Sequence, residues 1–428
     1  MEKAEKFLKV KGLRACDFNI DQLVELFHSE MNRGLRGETS SLRMIPTYIE
    51  ADNEFLKDTP VIAIDAGGTN FRSALVSFSS SGLIEMENLS NFHMPGLDGE
   101  VSKKEFFRTM SEFIKPVSDK SDRIGFCFSY PTEIFPDKDG RLIQFCKEVQ
   151  APEVIGQVIG KSLLEALGTP GKKIVLLNDT VATLLAGKSA SFGKTYDSFI
   201  GFILGTGTNT CYIESNVNIA KNPELNPARS MIINVESGNF NKAPRTELDI
   251  AFDNTTMNPG NYSFEKMFSG GYFGGLSLFV LKAAANDGLF SPRAAGRIKE
   301  LKELTAEEAN SFLSGNGTDN NVLRGCFTDP VDESTGNYII DNIIDRSARL
   351  VAANLAAVVL ITGKGTHPER PVLITVEGTT FYHPELKFMF TYASGWQFQN
   401  SPLQVTMAPS DGNALILFTL SPEKTMKA

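Results

Sequence analysis

Two short stretches of this chain repeat one device. VIAIDAGGTNFRSALV (Val61 to Val76) runs from apolar residues into an acid, two glycines, a threonine and an asparagine before apolar residues resume. FIGFILGTGTNTCYIES (Phe199 to Ser215) does much the same. Each reads as strand, tight turn, strand. Gly-Gly turns also close ordinary hairpins, but Gly68-Thr69-Asn70 aligns with Gly207-Thr208-Asn209 without a gap. Two related half-domains, each offering one turn to a shared cleft, are the simplest explanation. Lacking Cβ atoms, Gly67 and Gly68 let backbone N–H groups approach an anion closely. Asp65, at the strand end, can hold a divalent cation through water, and Thr69 and Asn70 add hydroxyl and amide donors. A metal-chelated polyphosphate is the natural occupant. Bulky substitution in either turn is then expected to impair use of that polyphosphate.

The 428 residues suffice for two domains, and 42% hydrophobic with 22% charged residues is a globular composition. A formal charge of −9 argues against nucleic-acid or anionic-membrane partners, which need clustered Lys and Arg. Any polyphosphate must therefore be held locally. Cys16, Cys127, Cys146, Cys211 and Cys326 lie far apart with no C-x-x-C pair, as free thiols in a reducing cytosol would. The first 30 residues lack a signal-peptide core, and Leu350 to Ile361 is too short to cross a bilayer. A cytoplasmic protein is expected.

In chain order, the apolar spacing predicts a helix over Asp21 to Met31, capped by Asp21 and ended by Gly34 and Gly37. Further helices are expected at Lys103 to Ile114, Thr180 to Ser191, Phe264 to Phe268 and Leu276 to Ala285, with a buried one at Ala348 to Ile361. Strands are expected at Arg123 to Tyr130, Lys172 to Leu177 and Val372 to Val376, the last entering a third glycine turn at Gly378. The tail run Ala414 to Leu420 reads first as a short helix, with a strand as its alternative.

Asn178-Asp179 ends a buried strand just before a helix, where open α/β sheets place ligand-contacting groups. A carboxylate there can take the proton of an acceptor hydroxyl while Asn178 holds the acceptor. The same Asn-Asp-Thr run also suits a helix cap, and both readings stand on the residues alone.

The paired glycine hairpins resemble those of the actin-like ATPase superfamily, which sugar kinases share with heat-shock chaperone ATPases. EMNRGLRGETSSLRMIPTYI (Glu30 to Ile49) resembles the segment preceding the first phosphate loop in eukaryotic-type hexokinases. NDTVATLLAG (Asn178 to Gly187) resembles that family's block carrying the catalytic base, which implies Asp179 as base beside Asn178 on the sugar. GFCFSYP (Gly125 to Pro131) implies a sugar contact from Ser129. GTGTNTCYIE (Gly205 to Glu214) implies ATP phosphate on Gly205, Thr206 and Gly207, with hexose on Asn209. INVES (Ile233 to Ser237) and NPGNYSFEKMFSGGYFG (Asn258 to Gly274) imply Glu236 and Glu265 as sugar carboxylates. The first turn by the same resemblance gives Asp65, Gly67, Gly68, Thr69, Asn70 and Arg72 to Mg-ATP, and VEGTTF gives Gly378 and Thr379 to the adenosine side. In RLIQFCKEV (Arg141 to Val149), Lys147 keeps its place near the sugar and the transferred phosphoryl. There Phe145 replaces the family's Trp, Cys146 its Thr and Glu148 its Gly, and a thiol at 146 would bond sugar weakly. Ser237 and Gly275 replace a Trp and a Glu, and SDGNAL (Ser410 to Leu415) is shorter than its counterpart.

The resemblance implies a two-lobed α/β fold of the actin-like ATPase (ribonuclease H-like) type with a central cleft. Residues 59–197 with 411–428 would form one lobe, and 1–58 with 198–410 the other. The implied activity is ATP- and Mg2+-dependent phosphorylation of the 6-hydroxyl of a hexose, glucose foremost, for glycolysis. A non-catalytic sugar sensor on the same fold is the alternative. The P-loop pattern G-x-x-x-x-G-K-S/T is absent, since Gly187-Lys188-Ser189 lacks the upstream glycine. Oligomeric state is not legible.

Overall fold

The structure is a computed structural model that describes residues 2–51, 56–80, 84–145, 149–190, 195–314, 321–327, 329–378, 396–401, 404–409 and 416–419. The first strands are β1 (Ile45–Pro46), β2 (Val61–Ala66), β3 (Asn70–Phe78) and β4 (Ile84–His93). After the helix Lys103–Ser118 come β5 (Arg123–Phe128), the short pair β6 (Thr132–Ile134) and β7 (Gly140–Leu142), and β8 (Lys173–Leu177). Then follow β9 (Ser198–Leu204), β10 (Thr208–Ser215) and β11 (Ser230–Asn234). Beyond a helical region lie β12 (Val372–Glu377), β13 (Trp396–Ser401), β14 (Gln404–Pro409) and β15 (Ile416–Thr419). Two five-stranded sheets, ordered β4-β3-β2-β5-β8 and β1-β11-β10-β9-β12, carry the helices. The fold is α/β, as the sequence implied.

The chain divides into two compact units, one of residues 45–194 with 211–234, the other of 1–44 with 195–210 and 235–428. This grouping differs from the lobes expected from the sequence at 45–58, 195–197, 211–234 and, in the tail, 416–419. At 45–58 and 211–234 the reason is pairing: β1 runs antiparallel to β11, and β11 to residues 211–215 of β10.

In the unit of residues 45–194, β2, β3 and β4 are an antiparallel meander, while β2, β5 and β8 are parallel neighbours. The helices Lys103–Ser118 and Ile159–Leu167 lie in the β4-to-β5 and β5-to-β8 connections that parallel strands require. Alternation sets the faces. Ile62, Ile64 and Ala66 of β2 enter a core with Phe106, Met110 and Ile114 of the first helix, and Asp65 falls on the opposite face. Ser102 caps that helix by accepting from Glu105 N at 3.2 Å.

In the other unit, β9 and β12 pair in parallel. Its first long helix, Ile20–Leu35, is capped by Asn19, whose Oδ1 accepts from Gln22 N at 3.0 Å, rather than by the expected Asp21. Nor does Gly34 end it. A Cβ at Gly34 would lie 2.5 Å from Met44 Cγ, so this glycine serves a close approach within the helix. The helix expected at Ala348 to Ile361 runs from Pro330 to Thr362. Its buried Arg346 grips Asp249 through two bonds of 2.9 and 2.6 Å. Burial pushes the Asp249 carboxyl up, but the Arg346 charge and bonds from Thr246 outweigh it, so its pKa is lowered. The expected helix at Phe264 to Phe268 is a single 3-10 turn, Glu265–Met267. The tail is corrected too. Ile416–Thr419 is a strand, antiparallel to β14, because a short apolar run has no periodicity of its own and takes the pairing offered.

Candidate active site

In the unit of residues 45–194, β2, β5 and β8 bring their carboxyl ends side by side. Ala66 is level with Phe128, and Cys127 with Leu177. The turn after Ala66, Ser129 after Phe128, and Asn178-Asp179 after Leu177 therefore share one sheet edge, where ligands of open α/β sheets bind. Ser129 N donates to Ala66 O at 3.1 Å, tying two of these strand ends together.

The first turn is pinned through its carbonyls. Gly67 N donates to Asn70 O at 3.0 Å, Met94 N to Thr69 O at 3.0 Å, and the Tyr130 hydroxyl to Gly67 O at 2.7 Å. Because a trans peptide points C=O and N–H in opposite directions, the Gly68 and Asn70 amides face away from these partners. The Asn70 side chain donates to Thr69 Oγ1 at 3.0 Å. Asp65 and Arg72, directly opposite in the hairpin, form an ion pair at 2.8 Å with both side chains about 40% exposed.

Asp179 opens the helix Asp179–Ala190. Thr180 N donates to Asn178 Oδ1 at 2.9 Å and to Asp179 Oδ1 at 2.7 Å. Capping is thus shared, with Asn178 holding the first turn through its backbone oxygen as well, bonded by Ala182 N at 3.0 Å. The Cys211 thiol donates to the Thr180 carbonyl at 3.1 Å. Cys16, Cys127, Cys211 and Cys326 form no disulfide among the described residues.

In the other unit, Gly205, Thr206 and Gly207 form the second turn, closed by Gly205 N to Gly207 O at 3.0 Å. The helix Gly270–Asn286 fixes it from one side. Gly270 N donates to Gly205 O at 2.8 Å, Gly271 N to Thr206 O at 3.0 Å, and Ser269 Oγ to Thr206 O at 2.8 Å. By the same peptide geometry the Thr206 and Gly207 amides point away from that helix. Gly378, at φ 134°, crosses so close that a Cβ would lie 2.0 Å from Leu204 O.

Glu265 comes directly against this turn. Its Oε2 accepts from Thr208 N at 3.1 Å, and a Cβ on Gly207 or Gly238 would lie 2.7 or 2.8 Å from the same oxygen. Asn209 Nδ2 donates to Glu236 Oε1 at 3.3 Å, and Asn209 Oδ1 accepts from Thr210 N and Ser237 N. Glu236 sits in the left-handed region at φ 59°, a conformation that costs a non-glycine residue about 1–3 kcal/mol and collects at functional sites. Behind Glu265, the buried Lys266 bonds Asp253 at 2.6 Å, and Arg245 and Gly260 N reach the other Asp253 oxygen. Burial pushes the Asp253 carboxyl up, and these bonds bring it down below the ordinary value.

Sequence reading assigned no role to Tyr130, Ser269, Gly238 or Asp253. Ser269 and Lys266 lie inside a recognised block, but only geometry shows what they hold. The departures have local partners. Ser237 is buried against Thr210 Oγ1 at 3.1 Å, and Phe145 packs edge-on to Tyr130. A Cβ at Gly275 would lie 3.1 Å from Phe252, whose ring fills the space a glutamate would need. Cys146, Lys147, Glu148, Thr379 and residues 410–415 lie outside the described residues.

Hexokinase family models match residues 8–189 and 199–411. Hexokinase-2 of Solanum tuberosum is 29% identical over 398 residues, covering 86% of this chain and 79% of its own length. Hexokinase-3 of Homo sapiens is 30% identical over 413 residues, covering 89% of this chain and 43% of its own. Among solved structures, hexokinase from Schistosoma mansoni complexed with glucose superposes with a TM-score of 0.71 at 23% identity, over 90% of each chain. That likeness establishes the fold.

Proposed function

The chain belongs to the hexokinase family, and from that premise we propose that it transfers the terminal phosphoryl of ATP to the 6-hydroxyl of a hexose, glucose foremost. The observation that carries the residue assignment is the placement of Asp179 at the carboxyl end of β8, next to the strand ends bearing Ser129 and the first glycine turn. Asp179 accepts the proton of the attacking hydroxyl, a role worth about 10²–10⁴ in rate. Asn178 and Ser129 orient the sugar from that edge. Asn209, Glu236 and Glu265 accept and donate the hydrogen bonds that distinguish its hydroxyls, and Lys147 serves the transferred phosphoryl.

The Gly68 and Asn70 amides of the first turn, and the Thr206 and Gly207 amides of the second, are the phosphate donors in this reading. Gly378 and Thr379 serve the adenosine side. Asp65 would hold Mg2+ through water, and the residues present fit that task. Its half-exposed carboxylate sits at a strand end beside the phosphate turn, and Mg2+ characteristically keeps waters and phosphate oxygens with only one or two carboxylates. Bound there, the ion would neutralise charge on the phosphates. Arg72 holds Asp65 in place through their ion pair.

A cytosolic setting and entry of the product into glycolysis complete the proposal. A coupled ADP assay across glucose, mannose, fructose, galactose and N-acetylglucosamine tests it. Turnover with at least one hexose, lowered about 10²–10⁴-fold by Asp179→Ala, is expected. Sugar binding without ADP formation would leave a sensor instead, and absence of both would overturn the reading.

A further inference from the structure

We propose that Tyr130 is a positioning residue that locks the first phosphate turn in its anion-binding orientation and ties that turn to the sugar-contact segment. This deepens the kinase reading and rests on it. The Gly67–Gly68 peptide joins two residues without Cβ atoms, so its plane can rotate at little steric cost. One orientation presents the Gly68 N–H to the ligand. The flipped one presents the Gly67 carbonyl oxygen, which repels phosphate.

The Tyr130 hydroxyl decides between them. It donates to Gly67 O at 2.7 Å from a side chain only 3% exposed, so the bond forms away from bulk water. A flip would break that 2.7 Å bond. The ring itself is clamped, with its centroid 4.9 Å from that of Phe128 and 5.0 Å from that of Phe145. Tyr130 follows Ser129 directly, and Phe145 directly precedes Cys146 and Lys147. The aromatic cluster therefore links two segments assigned to sugar with the carbonyl that sets a phosphate donor.

Tyr130→Phe removes one oxygen and keeps the ring packing. Calorimetric titration of a non-hydrolysable ATP analogue with Mg2+ into both proteins should show affinity weakened about three- to tenfold in the variant, the scale of one hydrogen bond. Glucose titrated into the nucleotide-free proteins should bind within about twofold of equal affinity. In steady-state assays the ATP KM should rise in the variant while the hexose KM stays put. Unchanged nucleotide affinity would overturn the proposal, as would equal losses for nucleotide and sugar, which would make the hydroxyl a general structural support. Failure of the kinase reading would show separately, as a wild-type protein that binds the analogue but makes no ADP with any hexose. A wild-type protein that binds no nucleotide would overturn both.

Discussion

Gly207→Ala should damage hexose binding before it damages ATP binding, the reverse of what the turn alone suggests. The added methyl would sit 2.7 Å from Glu265 Oε2, roughly 0.7 Å inside ordinary van der Waals contact. The carboxylate must retreat by about that much. Its bond from Thr208 N, already 3.1 Å long, would then stretch towards roughly 3.8 Å, beyond a useful hydrogen bond. Retreat is also confined, because Gly238 stands against the same oxygen and admits it only by lacking a side chain. A displaced Glu265 would lose the bond to a sugar hydroxyl proposed for it. Hydrogen bonds to charged groups are worth about 1.5–3 kcal/mol, so hexose affinity should fall about ten- to a hundredfold. Calorimetry with glucose, together with hexose and ATP KM values, reads the effect. Adding Gly207→Ala to a Glu265→Ala background should then cost little, since the clashing group has gone. An ATP KM that rises while glucose affinity holds would refute the reasoning, and so would effects that simply add in the double variant.

Asp179→Ala should lower turnover by about two to four orders of magnitude while sugar and nucleotide still bind. Its melting temperature should change little, because Asn178 also accepts from Thr180 N; a large drop would make Asp179 chiefly a cap. Gly378→Ala should destabilise the protein by about 3 kcal/mol in urea unfolding, from strain at φ 134° and collision with the Leu204 carbonyl; a change under about 1 kcal/mol would contradict the close crossing. Asp249 and Asp253 both have lowered pKa values in the folded state. Their contribution is thus fully present above about pH 4 and lost as pH falls through the folded values. Asp253→Asn should flatten the acid limb of stability against pH, and an unchanged limb would remove Asp253 from that account.

The hairpins were legible because alternation and glycines announce a strand-turn-strand unit within a dozen residues. Caps were harder: Asn19 and Asp21 are both good caps two residues apart, and only the bond to Gln22 N selects between them. The helix Pro330–Thr362 was half seen, since its first part mixes buried Ile339 and Ile340 with polar residues such as Asp332 and Thr335 that are buried too. The 416–419 run fits either period, and pairing with β14 settles it. At the site, residue types on strand ends could be read from local order. The contact of Glu265 with Gly207 could not, because nothing local connects residues so distant in sequence. Phe252 filling the space beside Gly275 is likewise a compensation between two helices, visible only once they pack.

The bonds from the helix Gly270–Asn286 to the second turn have an electrostatic consequence. Its leading amides carry the positive end of the helix dipole, but Gly270 N and Gly271 N spend their hydrogens on the carbonyls of Gly205 and Thr206. Each of those peptides then carries a further N–H on its opposite side. The helix acts on an anion at second hand, polarising two peptide units whose outward amides become better donors than isolated ones. Such a relay would hold the proposed phosphate one peptide away from the helix axis and let a glycine turn, rather than the rigid helix end, conform to it. Its strength depends on the alignment of both hydrogen bonds, so a tilt of this helix too small to break either contact would still retune the charge the turn presents.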